Sequence, residues 1–250
     1  MSETSISAPQ QQRLLRKLES IAVVTDDERQ ALLDLPLTIR TYAPDQDIVR
    51  DGDRPSECCL ILDGFVFRYK LLTDGRRQIL AFHTPGDIPD LQSLHLEVMD
   101  HSVAALVFTR VAAISHKDMN ALCRQYPGLA AALWRDTLID AAMFREWMVG
   151  LGRRPAHERI AHLLCEMTLR LAAVGLSDGR SCNLPITQVE LGDALGLTAV
   201  HVNRVLQDLR RDGLITLSSS RLTVLDWKSL QKVGDFDPAY LHQNRPAEAL

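Results

Sequence analysis

The stretch TQVELGDALGLTAVHVNRVLQDL, residues 187–209, decides the fold. Leu191, Gly192, Leu195, Gly196, Leu197, Val202, Val205 and Leu206 fall where two short helices joined by a tight turn need small or apolar residues. Gly192 has no side chain and lets the second helix cross the first closely. Gly196 sits where the chain reverses, at a position that often requires the positive φ glycine adopts at little cost. Thr198 comes next as an N-cap whose hydroxyl accepts from the free amides of a new helix. The reading is a helix-turn-helix with His201, Asn203 and Arg204 near the start of the second helix, where base edges are read. A helical hairpin in an ordinary core shows similar spacing, but the residues just C-terminal to this stretch argue against it. Asp212-Gly213 ends the helix, and residues 214–225, LITLSSSRLTVL, alternate on both sides of a Ser-Ser-Ser-Arg tip as a β-hairpin does. A helix-turn-helix followed directly by a hairpin is a winged helix.

A chain of 250 residues, 46% hydrophobic and 24% charged, has room for two modest domains and the composition of a globular protein. The net charge of −4 argues against holding nucleic acid by bulk charge alone, but not against a local basic face. Arg204, Arg210, Arg211 and Arg221 make a small one, so specific binding calls for two copies. The start, MSETSISAPQQQ, has neither the basic end nor the apolar core of a signal peptide, and no later run reaches membrane-spanning length. A cytoplasmic protein without membrane contact is expected. Cys58, Cys59, Cys123, Cys165 and Cys182 are odd in number and lack CxxC spacing, which favours reduced buried thiols over zinc or disulfides and leaves a redox sensor as the alternative.

The organisation expected is α+β: residues 1–25 a tail and short helix over 13–20, 26–115 an antiparallel β jelly roll, 116–152 a dimerisation helix and hinge, 153–227 the winged helix and 228–250 a tail without assigned function. Thr25 followed by Asp26, Asp27 and Glu28 starts a helix over 26–33. Segments 39–42, 47–49, 58–62, 65–71, 77–83, 103–108 and 110–115, separated by Asp-Gly and Pro-Gly turns, read as the strands of a sandwich or barrel. After a short helix over 118–125, the pattern runs unbroken to about Leu151. Ala130, Trp134, Thr137, Ala141, Phe144, Met148 and Leu151 alternate at four and three residues, the seam of a two-stranded coiled coil. A partner helix is favoured over burial of this stripe within one chain. Gly150-Leu151-Gly152 reads as a hinge, and residues 156–173 as a further helix in which His157 and His162 read as solvated or capping residues rather than metal ligands, since no third ligand is close.

The order of roll, long helix and winged helix resembles the Crp/Fnr family of bacterial transcription regulators from about Asp26 to Trp227. The matching residues are Ile48, Gly52-Asp53, Asp63-Gly64, Pro85-Gly86-Asp87, Arg159-Ile160-Ala161 and, most specifically, residues 187–209. The resemblance implies a homodimer on a palindromic promoter site that recruits or blocks RNA polymerase. It assigns DNA contact to Thr187, Gln188, Thr198, Ala199, Val200, His201, Asn203, Arg204 and Arg221, and an effector pocket to Gly86, Asp87, Asp90, Leu91, His101 and Ser102.

Two departures from the family pattern bear on function. In members that bind cyclic nucleotides, a Gly-Glu pair holds the ribose and an Arg-Ser pair the phosphate. Here the ribose pair falls on Asp90-Leu91 and the phosphate arginine on His101, while Asp90, Glu97 and Asp100 would repel a phosphate. Cyclic AMP is therefore not expected as a ligand, since charge-assisted bonds of this kind are worth about 1.5–3 kcal/mol each. The first cysteine is Cys58, so the N-terminal cluster of the iron-sulfur members is not expected; His83, His95 and His101 are the candidates for a haem ligand, and no cofactor is predicted. In the reader, Ala199-Val200 replace an Arg-Glu pair and Arg204 is kept, so the operator should differ from that of the cyclic AMP receptor. Against an enzyme stands the absence of GxSxG, HExxH, P-loop or paired-metal spacing. The remaining alternative is a roll that serves as an interaction or ligand-sensing module, with weak, sequence-indifferent DNA binding.

Overall fold

The computed structural model describes residues 8–243. The chain forms two compact units, one from the residues before 71 and 81–138, the other from 71–80 and the residues after 138.

The first unit opens with α1 (Ala8–Ile21) and α2 (Asp26–Leu33). α1 is longer than the expected 13–20, and its Leu14, Leu15 and Leu18 are buried along one face. Thr25 and Glu28 close the capping box that fixes the start of α2. Strands β1 (Thr38–Tyr42), β2 (Asp47–Val49), β3 (Glu57–Asp63), β4 (Val66–Leu71), β5 (Arg77–His83), β6 (Ser102–Ala105) and β7 (Thr109–Ser115) form two sheets, ordered β1-β7-β3 and β2-β6-β4-β5. Every register described in them is antiparallel. β6 ends at Ala105 rather than continuing to 108, because the chain leaves the ladder to turn into β7. Val49, Ile61, Val66, Met99 and Val103 meet in the core between strands. α3 (His116–Gln125) starts two residues before the expected 118, since Ser115 is its cap and accepts from the Asp118 amide.

α4 (Pro127–Arg153) runs straight through the expected hinge at Gly150-Leu151-Gly152. A glycine inside a helix costs about 1 kcal/mol, too little to end an established run. The break comes at Arg154, where the following Pro155 disfavours helical geometry.

In the second unit α5 (Ala156–Ala173) is almost wholly buried, and His162 is buried with it rather than solvated or capping, because Gly234 and Tyr240 pack over it. Around it lie α6 (Gln188–Leu195), α7 (Ala199–Arg211) and a sheet of β8 (Ser181–Asn183), β10 (Arg221–Val224) and β9 (Ile215–Ser218). β8, three residues long between α5 and α6, is too short for any alternation to register in the sequence. The segment expected to be a tail without function forms α8 (Trp227–Val233), capped by Asp226, and a turn of 3-10 helix at Pro238–Leu241. Trp227, Leu230, Phe236 and Leu241 are buried. Residues 1–7 and 244–250 of the two expected tails lie outside the described residues.

One polar tie holds the first unit across three elements. Lys17 on α1 contacts Asp87, in the loop after β5, at 2.7 Å and Asp136 on α4 at 2.8 Å. Burial works against the ammonium charge, but attraction from Asp136 and then Asp87 outweighs it and raises the Lys17 pKa above the ordinary lysine value. Removing the ammonium takes the shared cation away from two buried carboxylates, so Lys17→Met should lower unfolding free energy by about 3 kcal/mol. Denaturant melts at neutral pH would show this, and an unchanged midpoint would dismiss the tie.

Candidate nucleic-acid interface

The reader is set by backbone geometry. Thr187 and Glu190 form a capping box at the start of α6, with the Thr187 amide donating to Glu190 Oε2 at 2.6 Å. Gly196 closes the helix at φ 64°, ψ 40°, and Thr198 Oγ1 accepts from the His201 amide at 3.2 Å to open α7. Gly192 has a more local purpose than a helix crossing. A Cβ there would lie 2.6 Å from the Leu197 carbonyl oxygen, so the turn itself needs the glycine.

α7 buries Val202, Val205, Leu206 and Leu209 and turns the opposite stripe to solvent. Val200, 72% exposed, lies there with His201, Arg204, Gln207 and Arg211. Thr187, Gln188 and Val189 are exposed at the start of α6, and Thr198 in the turn. Ala199 and Asn203 are half-buried, Asn203 accepting a 3.5 Å contact from Gln188 Nε2. Arg204 has no hydrogen bond or ion pair among the described residues. Arg221 is exposed beside the wing tip, where Ser219 and Ser220 both take positive φ. The basic face is smaller than expected: Arg210 Nη2 donates to the Leu217 carbonyl and braces the wing, while Arg211 pairs with Asp208 and Asp212. Val189 and Gln207 are members of this surface that the sequence does not single out; Gln207 lies one helical turn beyond Arg204, and that spacing is the available signal.

On α4 the expected seam faces outward. Trp134 is 69% and Met148 60% exposed, with Thr137, Phe144 and Leu151 also exposed and Ala141 half-buried. Leu129, Ala132, Leu133, Ile139 and Ala142 occupy the other side and are buried within the chain.

The expected effector loop is folded onto itself. The Gly86 amide donates to the Ile61 carbonyl, and Asp87 accepts from the Thr84 amide besides pairing with Lys17. Asp90 accepts from the Cys59 amide at 2.8 Å, and Leu91 is buried at the start of a 3-10 turn, Leu91–Leu94. His101 meets Asp100 and Gln92, and Ser102 Oγ accepts from the Asp51 amide. The half-buried Arg68 of β4 reaches the same loop, its Nε and Nη2 both donating to the Pro89 carbonyl, the Nε at 2.8 Å. The acidic residues expected to repel a phosphate are themselves engaged: Glu97 with Arg54, Asp100 with His101, Asp90 inside the fold. His83, one of the haem candidates, lies 3.7 Å from Asp87. Among the described residues no group of three His, Cys, Asp or Glu is placed to hold a metal ion. Burial pushes the thiols of Cys58, Cys59, Cys165 and Cys182 upward, Cys182 to about 11, so none of these four is a thiolate at neutral pH.

Residues 39–126 match the model of the cyclic nucleotide-binding domain, and residues 158–233 that of the Crp-like helix-turn-helix domain. The transcriptional activator protein FnrL of Cereibacter sphaeroides is 30% identical over 84% of this chain and 86% of its own length. The chain belongs to the Crp/Fnr family of transcription regulators. Its helix-turn-helix is therefore a DNA-binding element. The nitrogen fixation regulation protein FixK of Rhizobium meliloti is 31% identical over 74% of this Crp/Fnr chain and 82% of its own. The solved structure of FixK2 from Bradyrhizobium japonicum superposes with a TM-score of 0.72 at 29% identity, covering 80% of this chain and 98% of that one. No helix among the described residues of this Crp/Fnr regulator is long and apolar enough to cross a membrane.

Two substitutions probe how this Crp/Fnr regulator builds its reader and its loop. Gly192→Ala should cost about 2 kcal/mol through overpacking against the Leu197 carbonyl, read as a lower thermal midpoint of the winged helix; a midpoint equal to the parent's would contradict the close approach. Burial lifts the Asp90 carboxyl to about 6 from the usual 3.8. The folded state then holds more protons than the unfolded one between these values, so Asp90 withdraws stability as pH rises through the window and the loss persists above it. Asp90→Asn should accordingly stabilise the protein at pH 8 by up to about 3 kcal/mol and by less at pH 5. Equal effects at both values would refute the assignment.

Proposed function

We propose that this regulator works as a homodimer, paired along Trp134, Thr137, Ala141, Phe144, Met148 and Leu151, that sets two copies of α7 into successive major grooves of a palindromic promoter site. The observation that carries the reading is the two-faced α4: one apolar stripe buried in its own chain, the other exposed. The exposed, unengaged Arg204 bonds a guanine O6 and N7 bidentately, and Val200 or Ala199 touches a thymine methyl. His201, Asn203, Thr187, Gln188, Thr198 and Arg221 reach base edges or the backbone around it. The regulator acts in the cytoplasm and works by recruiting or blocking RNA polymerase.

The loop geometry supports control without cyclic AMP. His101 and Ser102 stand where the phosphate contacts of nucleotide-binding members fall, and each is occupied by a neighbour. Arg68 donates to the Pro89 carbonyl and so fastens the loop to β4 through the chain's own side chain.

The test starts from duplex DNA selected in vitro by the purified protein. A palindrome is expected, bound with a steep dependence on salt and with an affinity that added cyclic AMP leaves unchanged. Arg204→Ala should lose about 1–3 kcal/mol at its base pair while binding to unrelated DNA stays near the parent's. Selection of a single half-site, or an undiminished preference in Arg204→Ala, would defeat the reading.

A further inference from the structure

The Crp-like helix-turn-helix match ends at residue 233, yet the chain beyond it is built into the second unit. Glu166 on α5 is fully buried, with relative exposure 0%. Its carboxylate receives donors from three places: Trp147 Nε1 on α4 at 3.1 Å, the Tyr240 hydroxyl at 2.9 Å and Arg170 Nη1 on α5 at 3.1 Å. A buried carboxylate left without donors is costly, so the group holds α4, α5 and the residues around Tyr240 in a single arrangement. The same segment is fastened twice more. Gly234 lies against α5 so closely that a Cβ would come 2.7 Å from the His162 amide nitrogen. Arg154, at the break between α4 and α5, pairs with Glu146 on α4 at 2.6 Å and with Asp235 at 3.5 Å.

The neighbours of Tyr240 fix its proton count. His162 Nδ1 lies 3.0 Å from the Gly234 carbonyl, which only accepts, and Nε2 lies 3.0 Å from the Tyr240 oxygen. Burial lowers the His162 pKa, so the ring is neutral and its proton sits on Nδ1. The single phenol proton then serves either Glu166 Oε2 or Nε2, one at a time, so the two acceptors share it.

From α5 the constraint passes to the reader. Arg159 Nη1 donates to the Leu195 carbonyl at the end of α6 at 2.6 Å, and Leu151 packs against Gly196. We propose that Glu166 is a positioning residue for DNA reading, and that residues 234–242 are the strap that closes its grip on the end of α4. The inference rests on the paired-reader function above. Two reading helices meet two half-sites only if each joint between α4 and α5 holds its angle. A joint that samples other angles lowers the competent fraction, and apparent affinity falls by the same factor.

Trp147→Phe and Tyr240→Phe each delete one donor to Glu166, the second keeping the ring unchanged and the first keeping an aromatic ring of smaller size. Both are to be titrated against the palindrome selected by the parent protein, and against the same duplex with one base pair inserted between the half-sites. The parent should bind the inserted duplex much more weakly. Each variant should lose about 3- to 10-fold on the parent spacing, the worth of one buried hydrogen bond, and its penalty for the insertion should shrink by a similar factor while the dimer mass is unchanged. A variant that is merely less folded loses affinity on both duplexes equally, so an unaltered penalty overturns the role of Glu166 and the strap. A parent protein indifferent to the insertion overturns the paired reader itself, and the strap's role with it.

Discussion

A helix of 27 residues with apolar side chains on two opposite sides cannot satisfy both within one chain. In α4 the side carrying Leu129, Leu133 and Ile139 is buried at home, and the side carrying Trp134, Phe144 and Met148 is left facing water. Exposing such a contiguous patch is unfavourable for a monomer, and this single constraint gives the rest of the molecule its purpose. A reader with few free basic residues gains sequence preference when a second copy is held at a fixed distance.

The proposed dimer would need that distance held by stiffness, and each unit contains buried polar groups that tie its elements together. Lys17 between Asp87 and Asp136, Arg68 on the Pro89 carbonyl, and Glu166 beneath Trp147, Tyr240 and Arg170 each join elements far apart in sequence. A hydrogen bond satisfied inside a protein contributes modestly, but losing one partner costs the whole desolvation of the other. Such groups therefore select one packing over its neighbours more than they add stability.

Elements with a local signature are legible in the sequence. Thr25 with Glu28, and Thr187 with Glu190, announce helix starts by a reciprocal bond within four residues, while Gly196 announces a turn by its backbone. The alternating strands and the stripe on α7 follow from a short period. Legibility fails where local signs compete with distant partners. The glycines at 150 and 152 look like a hinge, yet Pro155 sets the break; Arg210 looks like a DNA contact, yet it is spent on the Leu217 carbonyl. β8 and α8 are too short to advertise a period of their own.

The sequence alone settled whatever depends on neighbours a few residues apart: the winged helix, the antiparallel roll and the helix starts that frame them. Tertiary structure decided which of the equally plausible charged and aromatic side chains are consumed internally. Arg68, Arg210 and Tyr240 carry no sign of this in their surroundings along the chain, and neither does Glu166 beyond Arg170 one turn away, because the remaining partners lie on other elements and only the folded path brings donor and acceptor within bonding distance.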